Sequence, residues 1–300
     1  LALLTAPLAL LRGTLAARAD FRADPPAVVA GFGGYPAFPA LAAATWLKLP
    51  RLIHEQNGVL GRVNRLFAPR VDAVACGTWP LKNPPAAARL IDMGNPVRPA
   101  VAALAGGVYQ PPEADGPVDL LVFGGSQGAG SFSRLIPQAL AAMDPAARAR
   151  LRLTQQARAE DMDALRLRLS DLGVTAEIAP FFPDMPERLA RAHLVVARAG
   201  ASTVAELAAI GRPAVLIPYP AAMDDHQTAN ARALAQAGAA VVEAESGLTG
   251  EGLAAHLARL TAAPSELAAM AAAAAGRGRP DAAERLADLV EELGAGRSGP

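Results

Sequence analysis

The stretch LLVFGGSQGAG, residues 120–130, joins a short apolar run to a glycine-rich turn. A run of this length is typical of a buried strand, and the amphipathic segment 131–142 that follows indicates a helix. A glycine-rich turn between a strand and a helix leaves backbone N–H groups free to hold a phosphate. The same turn fits the G-x-S-x-G pattern that presents the nucleophile of serine hydrolases. The stretch therefore predicts an α/β fold and leaves two functions open.

The alternation of short apolar runs with longer helical segments continues on both sides of this stretch. The strand candidates are 27–30, 49–54, 71–76, 118–123, 151–154, 174–179, 193–197, 214–218 and 239–242. Strands that alternate with helices predict parallel sheets covered on both faces. We therefore expect an α/β architecture with doubly wound sheets.

The length of 300 residues and a change in composition predict two domains. The segment AGGVYQPPEADGP, 105–117, is rich in Gly, Pro and acidic residues, as linkers are. We predict a first domain at 1–104, a second at 118–280, and a C-terminal helix at 281–300 that braces the first domain. A ligand is expected in the cleft between the domains, at the carboxyl ends of the strands.

Composition excludes several classes of protein. The 28 basic and 28 acidic residues cancel, so no overall positive field recruits nucleic acid. The single cysteine, Cys76, excludes an internal disulfide and a cysteine-rich zinc site and fits a reducing compartment. The N-terminal run resembles a signal peptide, but it has no basic leading segment and contains Pro7. We expect a helix there that is mostly core and too short to span a bilayer.

The hydrolase interpretation needs an aspartate and then a histidine after Ser126. Asp184 with His193, or Asp225 with His226, satisfies that order, but no HGGG-type oxyanion segment precedes the turn.

The phosphate interpretation needs a second loop of the same kind, and HLVVARAGASTVAELAAIG supplies it. The pattern predicts a strand to 197, a turn at 198–202 and a helix from near Thr203, whose N-terminus attracts anions without a metal. Thr203 and Glu206 form a T-x-x-E capping box; Glu206 could instead accept hydrogen bonds from the vicinal hydroxyls of a sugar. The G-x-G-x-x-G and Walker patterns are absent.

Several segments in order carry a family resemblance: VVAGFGGY (28–35), IHEQNGVLGRVNRLFA (53–68), GNPVR (94–98), VFGGSQGA (122–129), RAGASTVAELAAIGRPAVLIPYP (198–220) and DDHQTANARAL (224–234). Together they resemble the MurG family of bacterial N-acetylglucosaminyltransferases over nearly the whole chain. The resemblance implies a GT-B fold, with two doubly wound Rossmann-like domains facing a cleft. It also implies inverting transfer of N-acetylglucosamine from UDP-N-acetylglucosamine to the C4 hydroxyl of lipid-linked muramoyl-pentapeptide, in peptidoglycan synthesis.

The resemblance also implies a donor site, mainly in the second domain. Its UDP-N-acetylglucosamine contacts fall on Asn57, Arg98, Ser126, Phe182, Ala201, Ser202, Thr203, Glu206 and Gln227. Ser126 would meet the diphosphate and bind rather than attack, and the Phe182 backbone would contact uracil. Glu206 would hold the ribose hydroxyls and Gln227 the donor sugar. The acceptor-side candidates are Gly33, Gly34 and Tyr35.

Each donor residue also has an ordinary structural interpretation. Asn57 could form a turn, Arg98 could be a solvated charge, and Gln227 could cap the helix that follows. The family's first glycine loop, G-x-x-G-G-H, is absent, so no catalytic residue is assigned. The chain looks truncated at its N-terminus, and we expect it to bind the donor poorly as it stands. A serine hydrolase using Ser126 and a noncatalytic scaffold remain the alternatives.

Further expectations concern the surroundings of the chain. The resemblance implies an undecaprenyl-linked acceptor and a peripheral location on the cytoplasmic face of the inner membrane, with cell-wall synthesis proteins as partners. The apolar stretch 1–11, followed by Arg12, Arg18 and Arg22, is the expected membrane contact. No cofactor and no metal are expected, because Asp224 and Asp225 lack further ligands and His54 is read as structural.

Overall fold

The computed structural model describes residues 2–125 and 130–296, which form two compact units. The first unit takes the chain up to Pro96 and again from Asp281 onward, and the second takes Val97–Pro280. The sequence analysis assigns 97–104 to the first domain and treats 105–117 as a linker. Here Val101 is fully buried in a core of the second unit, and the Tyr109 hydroxyl donates to the His193 carbonyl at 2.8 Å. These two contacts attach both segments to the second unit.

The first unit contains one parallel sheet in the order β1-β2-β3-β4. Its elements before Pro96 are α1 (Ala2–Ala23), β1 (Val29–Gly31), α2 (Gly34–Leu47), β2 (Arg51–Glu55), α3 (Arg62–Phe67), β3 (Ala73–Cys76) and β4 (Leu90–Asp92). Strand β4 is not among the predicted strands. It is three residues long, its sequence LID contains only two apolar residues, and all three side chains are partly exposed.

The second unit contains a six-stranded parallel sheet in the order β10-β9-β8-β5-β6-β7. Its strands are β5 (Val118–Phe123), β6 (Leu151–Gln156), β7 (Thr175–Ala179), β8 (Leu194–Ala197), β9 (Ala214–Leu216) and β10 (Ala240–Val242). Its helices are α4 (Pro99–Ala102), α5 (Phe132–Ala142), α6 (Pro145–Ala149), α7 (Met162–Asp171), α8 (Met185–Arg191), α9 (Ala201–Ile210), α10 (His226–Gln236), α11 (Gly250–Thr261) and α12 (Pro264–Arg277). Strand β5 has the predicted bounds.

Each face of the second sheet packs against its own apolar core. Alternate side chains of a strand point to opposite faces of the sheet. Leu120 and Val122 of β5 enter one apolar core, whereas Leu121 and Phe123 enter the other. The predicted doubly wound α/β architecture is confirmed.

A last helix, α13 (Ala282–Ala295), lies in the first unit. Leu286 and Leu289 pack in one core with Leu52 and other residues of β2 and β3. Arg285 donates to the carbonyl oxygens of Asp92 and Met93 at 2.8 and 3.2 Å. The second face of the first sheet is therefore completed by α13, which follows the second unit in the chain.

Candidate functional site

The order of the second sheet predicts where a ligand crevice would lie within that unit. The chain runs from β5 outward through β6 and β7, then returns to β8 on the other side of β5. In open parallel sheets, ligands bind outside the carboxyl ends of the strands at such a switch point. The glycine-rich turn follows β5, and the segment from Arg198 follows β8, so both flank the crevice.

The start of α9 presents amides that have no partner within the helix. Gly200 is its N-cap in an extended conformation, with φ −61° and ψ 148°. Ser202 is exposed, and Ala201 and Thr203 are partly exposed. N–H groups in the first turn of a helix have no partner within it, and the helix dipole adds partial positive charge. This opening can bind an anion.

The predicted capping box at the start of α9 is wrong. The helix begins at Ala201 rather than near Thr203, so Thr203 already lies inside the first turn, and the N-cap residue is Gly200, which has no side chain to cap the helix. Glu206 is too far along the helix to reach the N-cap amide.

Glu206 is instead paired with Arg98, in the same unit. Arg98 Nε donates to Glu206 Oε1 at 2.9 Å and its Nη2 donates to Oε2 at 3.1 Å. The Glu206 side chain is only 11% exposed, whereas the Arg98 side chain is 53% exposed. Two residues that the sequence assigned to the donor site therefore meet in one bidentate ion pair.

Arg198 forms hydrogen bonds that connect the loops after four neighbouring strands. Arg198 itself follows β8, and it donates to the carbonyl oxygens of Ile217 and Pro218, after β9, at 3.1 and 3.3 Å. It also donates to Ser131 Oγ at 2.9 Å, beside the glycine-rich turn, and to Glu245 Oε1 at 3.0 Å, after β10. Arg198 is 7% exposed. We call these residues the Arg198 cluster.

Arg198 is not among the predicted site residues, although the sequence contains a signal for it. An arginine that ends a fully apolar strand is unusual, because arginine is rarely buried without partners. The cluster also affects Glu245. Although burial alone would raise the pKa of this carboxyl, hydrogen bonds from Arg198 and Ser131 outweigh it, and the pKa lies below its usual value.

Gln227 joins two of the same loops. Its Oε1 accepts from the backbone N–H of Ala199 at 3.2 Å and of Tyr219 at 2.9 Å. Asn230, one turn along α10, donates to the Ala199 carbonyl oxygen at 3.0 Å. The amide oxygen of Gln227 thus holds the crevice loops, which leaves its NH₂ group as the part able to reach a ligand.

A predicted contact, Phe182, follows the edge strand β7. Phe182 is buried, with the Arg188 guanidinium 4.2 Å from its ring centre, so any ligand contact would come from its backbone. The predicted diphosphate contact Ser126 lies outside the described residues. Just before it, Gly125 has φ 79°, a conformation that favours glycine.

In the first unit, Glu55 organises the loop that carries Asn57. The buried Glu55 carboxylate accepts from the Asn57 N–H at 3.1 Å, the Gly61 N–H at 2.9 Å and Asn64 Nδ2 at 2.9 Å. Glu55 and Asn64 were quoted in the IHEQNGVLGRVNRLFA motif but not assigned a role. A carboxylate that ends a buried strand would have indicated one.

The acceptor-side candidates stand at the start of α2. Gly33 and Gly34 both have positive φ, 82° and 72°, which favours glycine at these positions. Tyr35 is 63% exposed. His54 lies in the same unit, buried, with Nε2 3.1 Å from the Gly94 carbonyl oxygen. Burial lowers the pKa of His54 and favours a neutral, structural ring.

The aspartates and histidines that a serine hydrolase would need are not paired with each other in the described part of the chain. His193 lies level with Asp119 at the amino end of β5, about 16 Å along the strand from the glycine-rich turn at its carboxyl end. Asp184 is paired with Arg188 at 2.8 Å. His226 Nδ1 lies 2.7 Å from the Met223 carbonyl oxygen. Among residues 2–125 and 130–296, neither predicted Asp–His combination forms a hydrogen bond, and no group of three potential metal-ligating side chains occurs.

Comparison with known proteins gives a consistent result. Residues 119–286 match the glycosyltransferase family 28 C-terminal domain, and residues 2–76 match the glycosyltransferase family 28 N-terminal domain. The chain is 52% identical over 295 residues to a protein of Rhodospirillum centenum, covering 96% of the chain and 77% of that protein. A Chelativorans protein is 49% identical over 298 residues, covering 99% and 80%. Both are named UDP-N-acetylglucosamine--N-acetylmuramyl-(pentapeptide) pyrophosphoryl-undecaprenol N-acetylglucosamine transferase.

Solved structures agree with this result. The crystal structure of Acinetobacter baumannii MurG matches with a TM-score of 0.79 and 32% identity, covering 95% of the chain and 80% of that protein. A glycotransferase of kitacinnamycin matches with a TM-score of 0.63 at 20% identity, which supports the fold alone. The fold is GT-B. In the part of the chain that the structure describes, none of the helices is long and apolar enough to cross a membrane.

Proposed function

We infer the function from one premise, that the chain belongs to glycosyltransferase family 28. It is a hexosyltransferase that transfers N-acetylglucosamine from UDP-N-acetylglucosamine to a lipid-linked muramoyl-pentapeptide, a step of peptidoglycan synthesis. The observation that carries this conclusion is 52% identity to a transferase of that name over 96% of the chain. Neither the hydrolase nor the noncatalytic scaffold has comparable support.

We propose that the donor binds at the β5–β8 switch point. The diphosphate would take the open amides of α9 and the glycine-rich turn with Ser126, because helix N-termini and glycine-rich turns bind anions. The remaining contacts we propose for UDP-N-acetylglucosamine are Asn57, Arg98, Phe182, Ala201, Ser202, Thr203, Glu206 and Gln227. Support comes from the exposure of the first turn of α9 and from the position of Glu206 within that helix.

The reaction we propose is a direct displacement with inversion. A base takes the proton of the acceptor C4 hydroxyl as the hydroxyl oxygen attacks the anomeric carbon, the bond from that carbon to the UDP oxygen breaks, and UDP leaves with the electron pair. Backbone N–H groups aimed at the leaving diphosphate stabilise its growing charge, so the leaving group needs no proton. The acceptor phosphates would lie near Gly33, Gly34 and Tyr35.

Two measurements test this function. Saturation-transfer NMR with UDP-N-acetylglucosamine should show transfer to the uracil, ribose and sugar protons. Incubation with radiolabelled donor and lipid-linked acceptor should give labelled lipid. A fluorophosphonate probe that labels Ser126 would favour the hydrolase, and absence of any nucleotide binding would favour the scaffold.

We also propose that α1 contacts the cytoplasmic face of the inner membrane, where the lipid-linked acceptor and other cell-wall synthesis proteins would be met. Leu8, Leu11 and Leu15 are each about half exposed, and their spacing puts them on one face of α1. Arg12 and Arg22 are exposed on the same helix. An exposed apolar stripe with flanking arginines fits an anionic lipid surface.

Exchange of Leu11 for glutamate should reduce this binding. The change places a carboxylate in the apolar stripe, where it opposes both insertion and attraction to anionic lipid. In flotation with vesicles containing anionic lipid, we expect a loss of bound protein of about tenfold. The exposed Leu167 on α7, in the other unit, gives the matched control Leu167→Glu. Equal flotation of both variants would contradict the proposal.

A further inference from the structure

The Arg98–Glu206 pair occupies the edge of the carboxylate that a ribose would need. Arg98 approaches side-on, with its Nε donating to Oε1 and its Nη2 donating to Oε2 of Glu206. A vicinal diol that binds a carboxylate with both hydroxyls also places one donor on each oxygen, from the same side. The two arrangements therefore compete for one edge.

The exposure of the two side chains indicates which of them can move when a ligand binds. Glu206 is held on α9 with its side chain 11% exposed, whereas Arg98 is 53% exposed at the N-cap of the short helix α4. The carboxylate has little room to move, and the guanidinium can turn outward. A diphosphate offers Arg98 a second bidentate anion, because guanidinium matches phosphate oxygens as well as carboxylate oxygens.

We propose that Arg98 sets the specificity of the site for a nucleoside diphosphate over the free nucleoside. Without phosphate, Arg98 covers Glu206 and blocks the ribose contact. With a diphosphate present, Arg98 transfers to the phosphate oxygens and uncovers the carboxylate. This inference rests on the proposed function, in which Glu206 holds the ribose and the diphosphate lies nearby.

The same ion pair then has opposite effects on two ligands. Uridine must break the Arg98–Glu206 pair and gains no replacement for the guanidinium. UDP breaks the same pair and satisfies the guanidinium with phosphate. A ligand shifts an equilibrium between two arrangements only through its different affinity for them, and the diphosphate supplies that difference.

The test is calorimetric and NMR titration of the chain with uridine and with UDP. In Arg98→Gln, we expect uridine affinity to rise at least about threefold and UDP affinity to fall about tenfold or more, as expected when a charge-assisted hydrogen bond is lost. The matched control is Arg168→Gln, which removes an exposed arginine on α7 and should change neither affinity. The double variant Arg98→Gln with Glu206→Gln should lose the gain in uridine affinity.

The possible results distinguish a failure of this inference from a failure of the proposed function on which it rests. Failure of the unmodified chain to bind UDP would overturn the proposed function. If UDP binds but Arg98→Gln leaves uridine affinity unchanged or lower, the specificity role is overturned while the donor site stands. A fall of equal size for both ligands would assign Arg98 to orienting Glu206 rather than covering it.

Discussion

Replacing Arg198 with methionine should destabilise the second unit by about 3 kcal/mol. Removing one partner of a buried ion pair costs roughly 3 to 5 kcal/mol, because the other charge and its hydrogen-bond acceptors lose their partner. We expect a destabilisation at the lower end of this range, because the Glu245 side chain is 21% exposed and can be partly solvated once Arg198 is replaced. The carbonyl oxygens of Ile217 and Pro218 also lose their donor.

The measurement should follow each unit separately. Both tryptophans, Trp46 and Trp79, lie in the first unit, so tryptophan fluorescence during urea unfolding reports on that unit. Hydrogen exchange of peptides from β8, β9 and β10 reports on the second. We expect faster exchange in those peptides and an unchanged fluorescence transition. Adding Glu245→Gln to Arg198→Met should recover part of the loss. Equal exchange in Arg198→Met and the unmodified chain would contradict the importance of the Arg198 cluster.

Replacing Glu206 with alanine should weaken UDP binding about ten- to hundredfold. Hydrogen bonds to a charged group contribute roughly 1.5 to 3 kcal/mol each, and each 1.4 kcal/mol is tenfold in affinity. The change leaves Arg98 without its carboxylate, but that side chain is 53% exposed and remains solvated. The variant should therefore keep its fold while losing the ribose contact.

A ligand comparison separates loss of the ribose contact from general damage. The unmodified chain should prefer UDP over 2′-deoxy-UDP, because a hydroxyl on the ribose then has an acceptor, and Glu206→Ala should bind both nucleotides alike. The exposed Glu187 on α8 provides a control, Glu187→Ala, that removes the same charge elsewhere in the unit. A preference for UDP that survives in Glu206→Ala would remove Glu206 from the ribose site.

The sequence predicts most of the fold because its strands are short apolar runs that alternate with longer amphipathic segments. Strand β5 could be placed to the residue, since both faces of the sheet are covered and every position but Asp119 is buried. Strand β4 could not, because an edge strand with partly exposed side chains lacks that signal. The start of α9 was misplaced because an extended glycine, not a polar side chain, serves as its N-cap.

The candidate site was less predictable than the fold. Spacing suggested that Glu206 could bind a ligand but gave no reason to expect Arg98 on its carboxylate, since the two residues are distant in the chain. The role of Arg198 depends on loops after four strands, and only the folded sheet brings these together. The contacts carried over from the family resemblance stay predictions, and Ser126 lies outside the described residues.

Helix α13 has a consequence for synthesis on the ribosome. The first unit needs Leu286 and Leu289 to cover one face of its sheet, yet these residues are translated after the whole second unit. Domains usually fold in the order in which they emerge. Here Leu52 and its neighbours stay uncovered until α13 has been translated, after the whole second unit. The nascent chain therefore presents a chaperone-binding face while the second unit is being translated.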